Sequence, residues 1–373
     1  MKQGQRSLGF CLICLALLFT PSTRAGESVV YSITTRDPNS HLPVEKTEIF
    51  AIDLETGKRR VLFSDDVNAG FLLLPSGKMK GEIATADGRL FSVGIELNRN
   101  PAGGYSFQGP EAIYELSTDG SGSKRKILGV DPSKMRGWFL NATGARIGHI
   151  EQADEKYYLV VHDSANGKLL SRTEFHYGAS LPSSSHGSMQ TVTWMPDDKR
   201  VLFTVALGGD SNEAPPTESS PIGTYVIDED TKTANQLAPE AALHPDDVTE
   251  KESATEAPAV LIGVLPNGRY LACDRLALAP DGAKPRLYSL DLATRTQRIF
   301  PLNVDGQPGS FHLSSSGNKL VFMTKQRKYE KQQKVSIEEV WVLDLASSKP
   351  FRLATFTVTN DQPPLMNLIG WMD

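Results

Sequence analysis

MNLIGWMD, residues 366–373, repeats the opening of an internal stretch, TVTWMPDDKRVLF at 191–203, and stops where that stretch makes its turn. A chain that ends on the first strand of a repeat and starts, near Val29, on what reads as a second strand is expected to close into a ring.

Working outward, one segment type recurs: a short strand ending in an acidic residue, a tight polar turn and a second short strand. The copies are IFAIDLETGKRRVLF (49–63), AIYELSTDGSGSKRKIL (112–128), LVVHDSANGKLLSRT (159–173), TYVIDEDTKTANQL (224–237), LYSLDLATRTQRIF (287–300) and VWVLDLASSKPFRL (340–353). Six copies, spaced by roughly 48 to 65 residues, point to propeller blades. Each carries β-branched and aromatic residues over about five positions, the mark of a strand. Asp53, Asp163, Asp228, Asp291 and Asp344 each stand where a carboxylate can accept hydrogen bonds from the amides of the next turn, so they read as hairpin closures and not as catalytic groups.

A second hairpin lies between these: FLNATGARIGHIE (139–151), TVTWMPDDKRVLFTV (191–205), VLIGVLPNGRYLAC (260–273) and SFHLSSSGNKLVFM (310–323). Its Gly, Asn and Asp turns tolerate positive φ, and a basic residue follows each turn. In blade 2 both FLLLPSGKMKG (71–81) and EIATADGRLFSVG (82–94) fit, and the spacing favours the latter. Two hairpins per repeat give four antiparallel strands, a to d. Blade 1 has SVVYSITT (28–35) as strand b and no strand a ahead of it; LIGWMD supplies that strand. The expected fold is all-β: a six-bladed propeller of four-stranded blades in one domain, 28–373, closed by the C-terminal strand.

The strings MPDDKRVLF, LPNGRYLAC and FAIDLETGKRRVL resemble the WD40-like, or PD40, repeats of the TolB-like β-propellers, over about residues 28–373. That resemblance implies the fold. It implies neither the role of the family's periplasmic members, whose extra N-terminal α/β domain is missing here, nor that of its peptidase propellers, whose hydrolase domain is missing too.

In an up-and-down blade the a-b and c-d turns lie at one end, and the b-c and d-a connections at the other. The long segments 97–110, 129–138, 176–188, 206–223, 238–258, 301–309, 324–337 and 355–365 all fall on b-c or d-a connections. They are expected to form loops on one face, the common place for binding on a stiff scaffold. That face would carry Arg136, Trp138, His176, Tyr177, His186, Arg275, Arg327 and Tyr329, a cationic and aromatic set suited to anionic, sugar or peptide ligands. The acidic stretch 240–256 reads as a solvated loop, because it lacks the D-x-D-x-D spacing of a calcium site. Lys325, Arg327, Lys328, Lys331 and Lys334 read as a wet hairpin or short helix.

At the N-terminus, Lys2 and Arg6 precede the apolar run LGFCLICLALLF, and Thr23-Arg24-Ala25 follows as a small-x-small cleavage site. Residues 1–25 are therefore expected to be a cleaved signal peptide, too short to span a bilayer, with a periplasmic or secreted mature chain. Cys11 and Cys14 leave with it, so Cys273 stays alone and no disulfide can form. The chain has 39% hydrophobic and 22% charged residues, 31 Gly and 23 Pro, which suits a turn-rich globular fold. A net charge of −5 argues against nucleic acid and gives no reason to expect adhesion to anionic lipid.

Catalytic motifs are sparse. No G-x-S-x-G elbow is present, ALGGDSNE (206–213) lacks the partners of a hydrolase block, and the seven His show no zinc spacing. His149, His162 and His312 lie within strands and read as core or channel-lining groups. Asn141-Ala-Thr143 matches a glycosylation sequon by chance. No cofactor or metal is expected. The favoured reading is an exported, monomeric, non-enzymatic propeller that binds a protein or envelope component on the long-loop face. Its rival is a lactonase-like or glycan-acting hydrolase at the channel mouth, for which the inner strands offer His312 and Glu82.

Overall fold

A computed structural model describes residues 27–36, 45–65, 71–73, 83–99, 105–131, 134–153, 156–175, 187–195, 197–207, 223–228, 233–239, 259–274, 286–291, 293–294, 296–330, 333–358 and 365–372. These form twenty-five strands in six antiparallel sheets, with no helix among the described residues.

From the innermost strand outward, blade 1 is β25 (Leu365–Met372), β1 (Ser28–Arg36), β2 (Glu45–Asp53) and β3 (Arg59–Ser64). In blade 2, β4 (Phe71–Leu73) and β5 (Ile83–Ala86) share the inner edge of β6 (Arg89–Arg99), followed by β7 (Tyr105–Leu116) and β8 (Lys124–Gly129). Blade 3 is β9 (Met135–Leu140), β10 (Arg146–Ala153), β11 (Lys156–Asp163) and β12 (Leu169–Phe175). Blade 4 is β13 (Gly187–Trp194), β14 (Arg200–Leu207), β15 (Gly223–Asp228) and β16 (Thr233–Pro239). Blade 5 is β17 (Ala259–Val264), β18 (Tyr270–Asp274), β19 (Leu287–Leu290) and β20 (Gln297–Phe300). Blade 6 is β21 (Gln307–Leu313), β22 (Lys319–Glu330), β23 (Gln333–Asp344) and β24 (Lys349–Val358). The inner strands touch in the order β25, β5, β9, β13, β17, β21 and back to β25, so the ring is closed.

Closure rests on β25. It pairs with β1 from Thr34↔Leu365 to Ser28↔Met372, with a bulge that sets the residues on either side of Ile369 out of step. Its side chains then serve two interfaces. Met366, Leu368 and Trp371 join the core shared with blade 6, against Val321, Met323, Val340 and Val342, while Ile369 and Met372 join the core shared with blade 2. The Trp371 indole N–H donates to the His312 carbonyl of blade 6 at 2.9 Å. Lys319 of blade 6 pairs with Glu27 just ahead of β1.

Four of the five turn aspartates act as read; the turn after Asp228 lies outside the described residues. Asp53 Oδ1 accepts from the amide and hydroxyl of Thr56, both at 2.7 Å; Asp163 accepts from Ala165 N at 2.6 Å, Asp291 from Ala293 N at 2.9 Å and Asp344 from Ser347 N at 2.7 Å. Hydrogen bonds to Thr56 and to the Thr294 and Ser347 amides hold Asp53, Asp291 and Asp344 below the usual carboxylate range.

Two readings need correction. In blade 2 the EIATADGRLFSVG hairpin forms as expected, yet Phe71–Leu73 pairs with the same strand, opposite Glu96–Gly94, while β5 pairs with Ser92–Arg89. Strand a is thus one line interrupted by residues 74–82. Second, 97–110, 129–138 and 324–337 are not simply loops. Pairs from Glu96↔Gln108 to Arg99↔Tyr105 prolong blade 2, Met135–Leu140 is strand a of blade 3, and twelve pairs from Lys319↔Asp344 to Glu330↔Gln333 carry blade 6 through the cationic run. Once a hairpin is nucleated, backbone pairing continues through polar residues because it needs no apolar side chain.

Trp371, 6% exposed, is the largest side chain of the closing strand. Trp371→Ala is expected to lower unfolding stability by about 3 to 5 kcal/mol, read from urea denaturation, because it removes core contacts and the bond to His312 together.

Candidate functional site

The two ends of the ring differ in how their charges are spent. At the a-b and c-d end, cations that open strand b or sit on strand d reach across blade junctions. Arg60 donates to Thr118 O of blade 2 at 2.9 Å, Arg89 to Gly144 O of blade 3 at 2.8 Å, and Arg146 to Asp198 O of blade 4 at 3.2 Å. Arg298 donates to Ala346 O and Ser348 Oγ of blade 6 at 3.0 and 2.9 Å. Asn141 belongs here too: its side chain bonds Thr143 and Asp198 and accepts from Arg146 N, so its amide is engaged inside the turn. In blades 2 and 3 the basic residue that opens strand b, Arg89 or Arg146, is thereby a junction fastener.

The opposite end carries the b-c and d-a connections. Its best-described feature is the blade 6 hairpin. Lys325 pairs with Glu338 at 3.0 Å, Arg352 with Glu339 at 2.8 Å, and Trp341 Nε1 donates to Thr324 Oγ1 at 3.2 Å, which fixes the hairpin base; Val335, 4% exposed, seats one side. Residues directly opposite in an antiparallel pair share a side, and sides alternate along each strand. By register, Lys325, Arg327, Tyr329, Lys334 and Ser336 fall on one side, and Lys328 on the other with Val335. The expected hairpin is therefore the form taken, and Arg327 and Tyr329 stand on strand β22 rather than in a loop.

Arg136 and Trp138 are on β9, the innermost strand of blade 3, which starts at this same end. Trp138 is buried with Phe91, Val93, Ile113 and Ile147 between blades 2 and 3, a packing role that the sequence reading missed. An aromatic residue beside a turn signal reads as surface until the strand is seen to begin three residues earlier. His176, Tyr177, His186 and Arg275 lie outside the described residues, as does 240–256.

Beside Trp138 sits a buried imidazole pair. His149, opposite Trp138 in the ladder, stacks on His162 with ring centroids 5.4 Å apart, and His162 Nδ1 is 3.1 Å from Gly167 O. Burial, followed by the charge of His162, pushes His149 down to about 4. In blade 1, at the long-connection end, Thr47 N donates to Asp65 Oδ1 at 2.8 Å and the Thr34 and Thr47 hydroxyls meet at 2.9 Å. Burial pushes Asp65 up to about 7. No sequence signal separated Asp65 from its neighbour Asp66. On the inner strands, Gly370 lies between Thr85 Oγ1 and His312 Nδ1, and burial lowers His312 to about 4, leaving it neutral at pH 7. Glu82 lies outside the described residues. Among the described residues no three His, Cys, Asp or Glu side chains converge, and no helix is long and apolar enough to cross a membrane.

No family model matches the chain, and no curated protein does. Among solved structures it is similar to TolB from Acinetobacter baumannii (14% identity, 92% of this chain and 66% of that one, TM-score 0.46). It is also similar to a chain of a nidogen/laminin complex (12%, 92% and 98%, 0.46) and to oligogalacturonate lyase from Vibrio parahaemolyticus (12%, 88% and 85%, 0.41). The chain spans just under two thirds of the length of that TolB. At these identities no ligand or activity transfers.

The histidine shift sets a pH dependence. As pH falls through 6.5 the unfolded chain protonates His149, while the folded chain resists until about 4, so the unfolded state binds more protons and stability falls with pH in that window. Asp65, raised from 3.8 to about 7, acts oppositely: its contribution is present at low pH and lost as pH rises through 7. The difference between wild type and His149→Leu isolates the imidazole. Wild type should lose about 3 kcal/mol relative to the variant between pH 7 and pH 4, measured by denaturant unfolding.

Proposed function

We propose that this chain is an exported, non-enzymatic β-propeller that binds a protein or cell-envelope component through the face of its b-c and d-a connections. The observation that carries this reading is the outer part of the blade 6 hairpin: beyond the Lys325–Glu338 pair at its base, residues 327–334 hold four cations, Arg327, Lys328, Lys331 and Lys334, against the single carboxylate Glu330, in a chain of net charge −5. Such a projection presents cationic and aromatic groups with little ordering entropy left to lose. The opposite face has much of its charge committed between blades, which favours the long-connection face for recognition. Arg136, His176, Tyr177, His186, Arg275, Arg327 and Tyr329 form the proposed contact set; Trp138 supports it from the core. The partner surface is expected to be anionic.

Export follows from the proposed signal peptide, residues 1–25, giving a periplasmic or secreted monomer. N-terminal sequencing of the protein recovered outside the cytoplasm should begin at Gly26. For binding, a photo-crosslinking amino acid at Tyr329 should give an adduct of defined mass in the envelope or secreted fraction, and the pair Lys328→Glu with Lys331→Glu should weaken it about tenfold. The same probe at Ser316, an exposed turn residue of the other face, should give none. Adducts from Ser316 alone would contradict the proposal.

A further inference from the structure

Blades 2 and 5 each place two arginines at corresponding positions, and among the described residues only the blade 2 pair shares a carboxylate. In blade 2 the ladder sets Phe91 opposite Glu115 and Glu115 opposite Arg125; in blade 5 it sets Leu271 opposite Ser289 and Ser289 opposite Arg298. Arg89 and Arg269 each stand two residues ahead of the first member. Position for position, Arg89-Glu115-Arg125 becomes Arg269-Ser289-Arg298.

The consequences are visible in the geometry. Glu115 receives Arg89 Nε at 2.7 Å and also pairs with Arg125, and these bonds hold its carboxyl below the usual range. Arg89 then extends over the junction to Gly144 O and, at 3.1 Å, to Ser164 Oγ of blade 3, filling that gap. Arg269 instead folds back on its own blade, to Thr296 O at 2.7 Å and Ser289 O at 3.1 Å. Its Nε, the atom that in Arg89 meets the glutamate, is buried with no hydrogen-bond partner among the described residues. Asp291 is influenced by the Arg269 charge, yet its carboxylate is engaged by the Ala293 and Thr294 amides of its own turn.

The space that Arg269 leaves is a crevice of about 410 Å³ between blades 5 and 6, lined by Leu265, Arg269, Ser289, Arg298, Phe300 and Leu345 among others. Contact between Pro266 and Gly317 bounds it on the inside, and the bonds from Arg298 to Ala346 and Ser348 bound it on the outside. Leu265, Phe300 and Leu345 are 7%, 2% and 6% exposed and make an apolar floor.

We infer that this crevice is a binding site for a small carboxylic acid with a flat apolar body, whose carboxylate stands where Glu115 stands in blade 2. The body lies on the floor of Leu265, Phe300 and Leu345, and the carboxylate accepts from the exposed Arg298 guanidinium and stands beside the charge of Arg269. A guanidinium fork favours a carboxylate over a neutral acceptor through paired, charge-assisted bonds. The site is on the face opposite the proposed recognition face and does not depend on that reading.

The test is a ligand-observed NMR titration of the full mature protein with 2-naphthoate and its neutral isostere 2-naphthamide. Wild type should bind 2-naphthoate one to one and at least about tenfold more tightly than the amide. Ser289→Glu rebuilds the blade 2 arrangement and should abolish the binding while keeping or raising the unfolding midpoint; Ser289→Ala should bind as wild type does. Arg298→Gln, at an exposed position, gives a second readout whether or not the glutamate variant folds, and should weaken 2-naphthoate at least about tenfold without changing the amide. Equal binding of acid and amide, binding unchanged in Ser289→Glu or in Arg298→Gln, or no binding by wild type up to about 10 mM would overturn the inference.

Discussion

Pairing between the two ends of the chain governs this molecule. Without β25, strand β1 would expose a row of unsatisfied amides and carbonyls beside an apolar surface, the arrangement that invites edge-to-edge association. With it, one strand completes a sheet and also supplies side chains to the cores on both flanks. Trp371 toward blade 6 and Ile369 toward blade 2 make blades 6, 1 and 2 one continuous body. The bulge at Ile369 permits this, since it changes which neighbour the following residues face.

A second level of organisation sits on the first. Blades 2 to 6 each place a cation at the start of strand b, and its destination differs from blade to blade: Arg89 and Arg146 cross to the next blade, Arg200 stays with Asp197 of its own turn, Lys319 crosses to Glu27 and seals the ring, and Arg269 turns back. A single change on the neighbouring strand, glutamate in blade 2 and serine in blade 5, goes with an ion-paired junction in one and an open crevice in the other. Repetition of the fold thus supplies an internal control, in which one blade shows what another lacks. The opposite end varies by another route, with strands prolonged beyond the common body, most of all in blade 6.

Much of the architecture was legible because it depends on local chemistry. The Asp-capped c-d turns could be found from their sequence, and the blade 1 closure followed from counting strands. Three things escaped. The interrupted strand a of blade 2 hides because residues 74–82 separate two short pieces that pair with one partner. The blade 6 extension hides because its polar run has none of the alternation by which a strand is recognised. Trp138 was assigned to a surface because its strand is innermost and buried on both sides, so it lacks a polar face. The contrast between Glu115 and Ser289 was present in the sequence throughout; reading it required aligning the repeats position by position, which the strand registers make secure.

Hydrogen exchange measured by mass spectrometry on the intact chain tests the closure most directly. If the terminal strands complete one sheet, the amides of 28–34 and 366–372 should exchange as slowly as those of the central strands β10 and β22, and the two segments should open together on adding denaturant. Rapid exchange of 366–372 while 28–34 stays protected, or independent opening of the two, would contradict a ring closed by its own C-terminus.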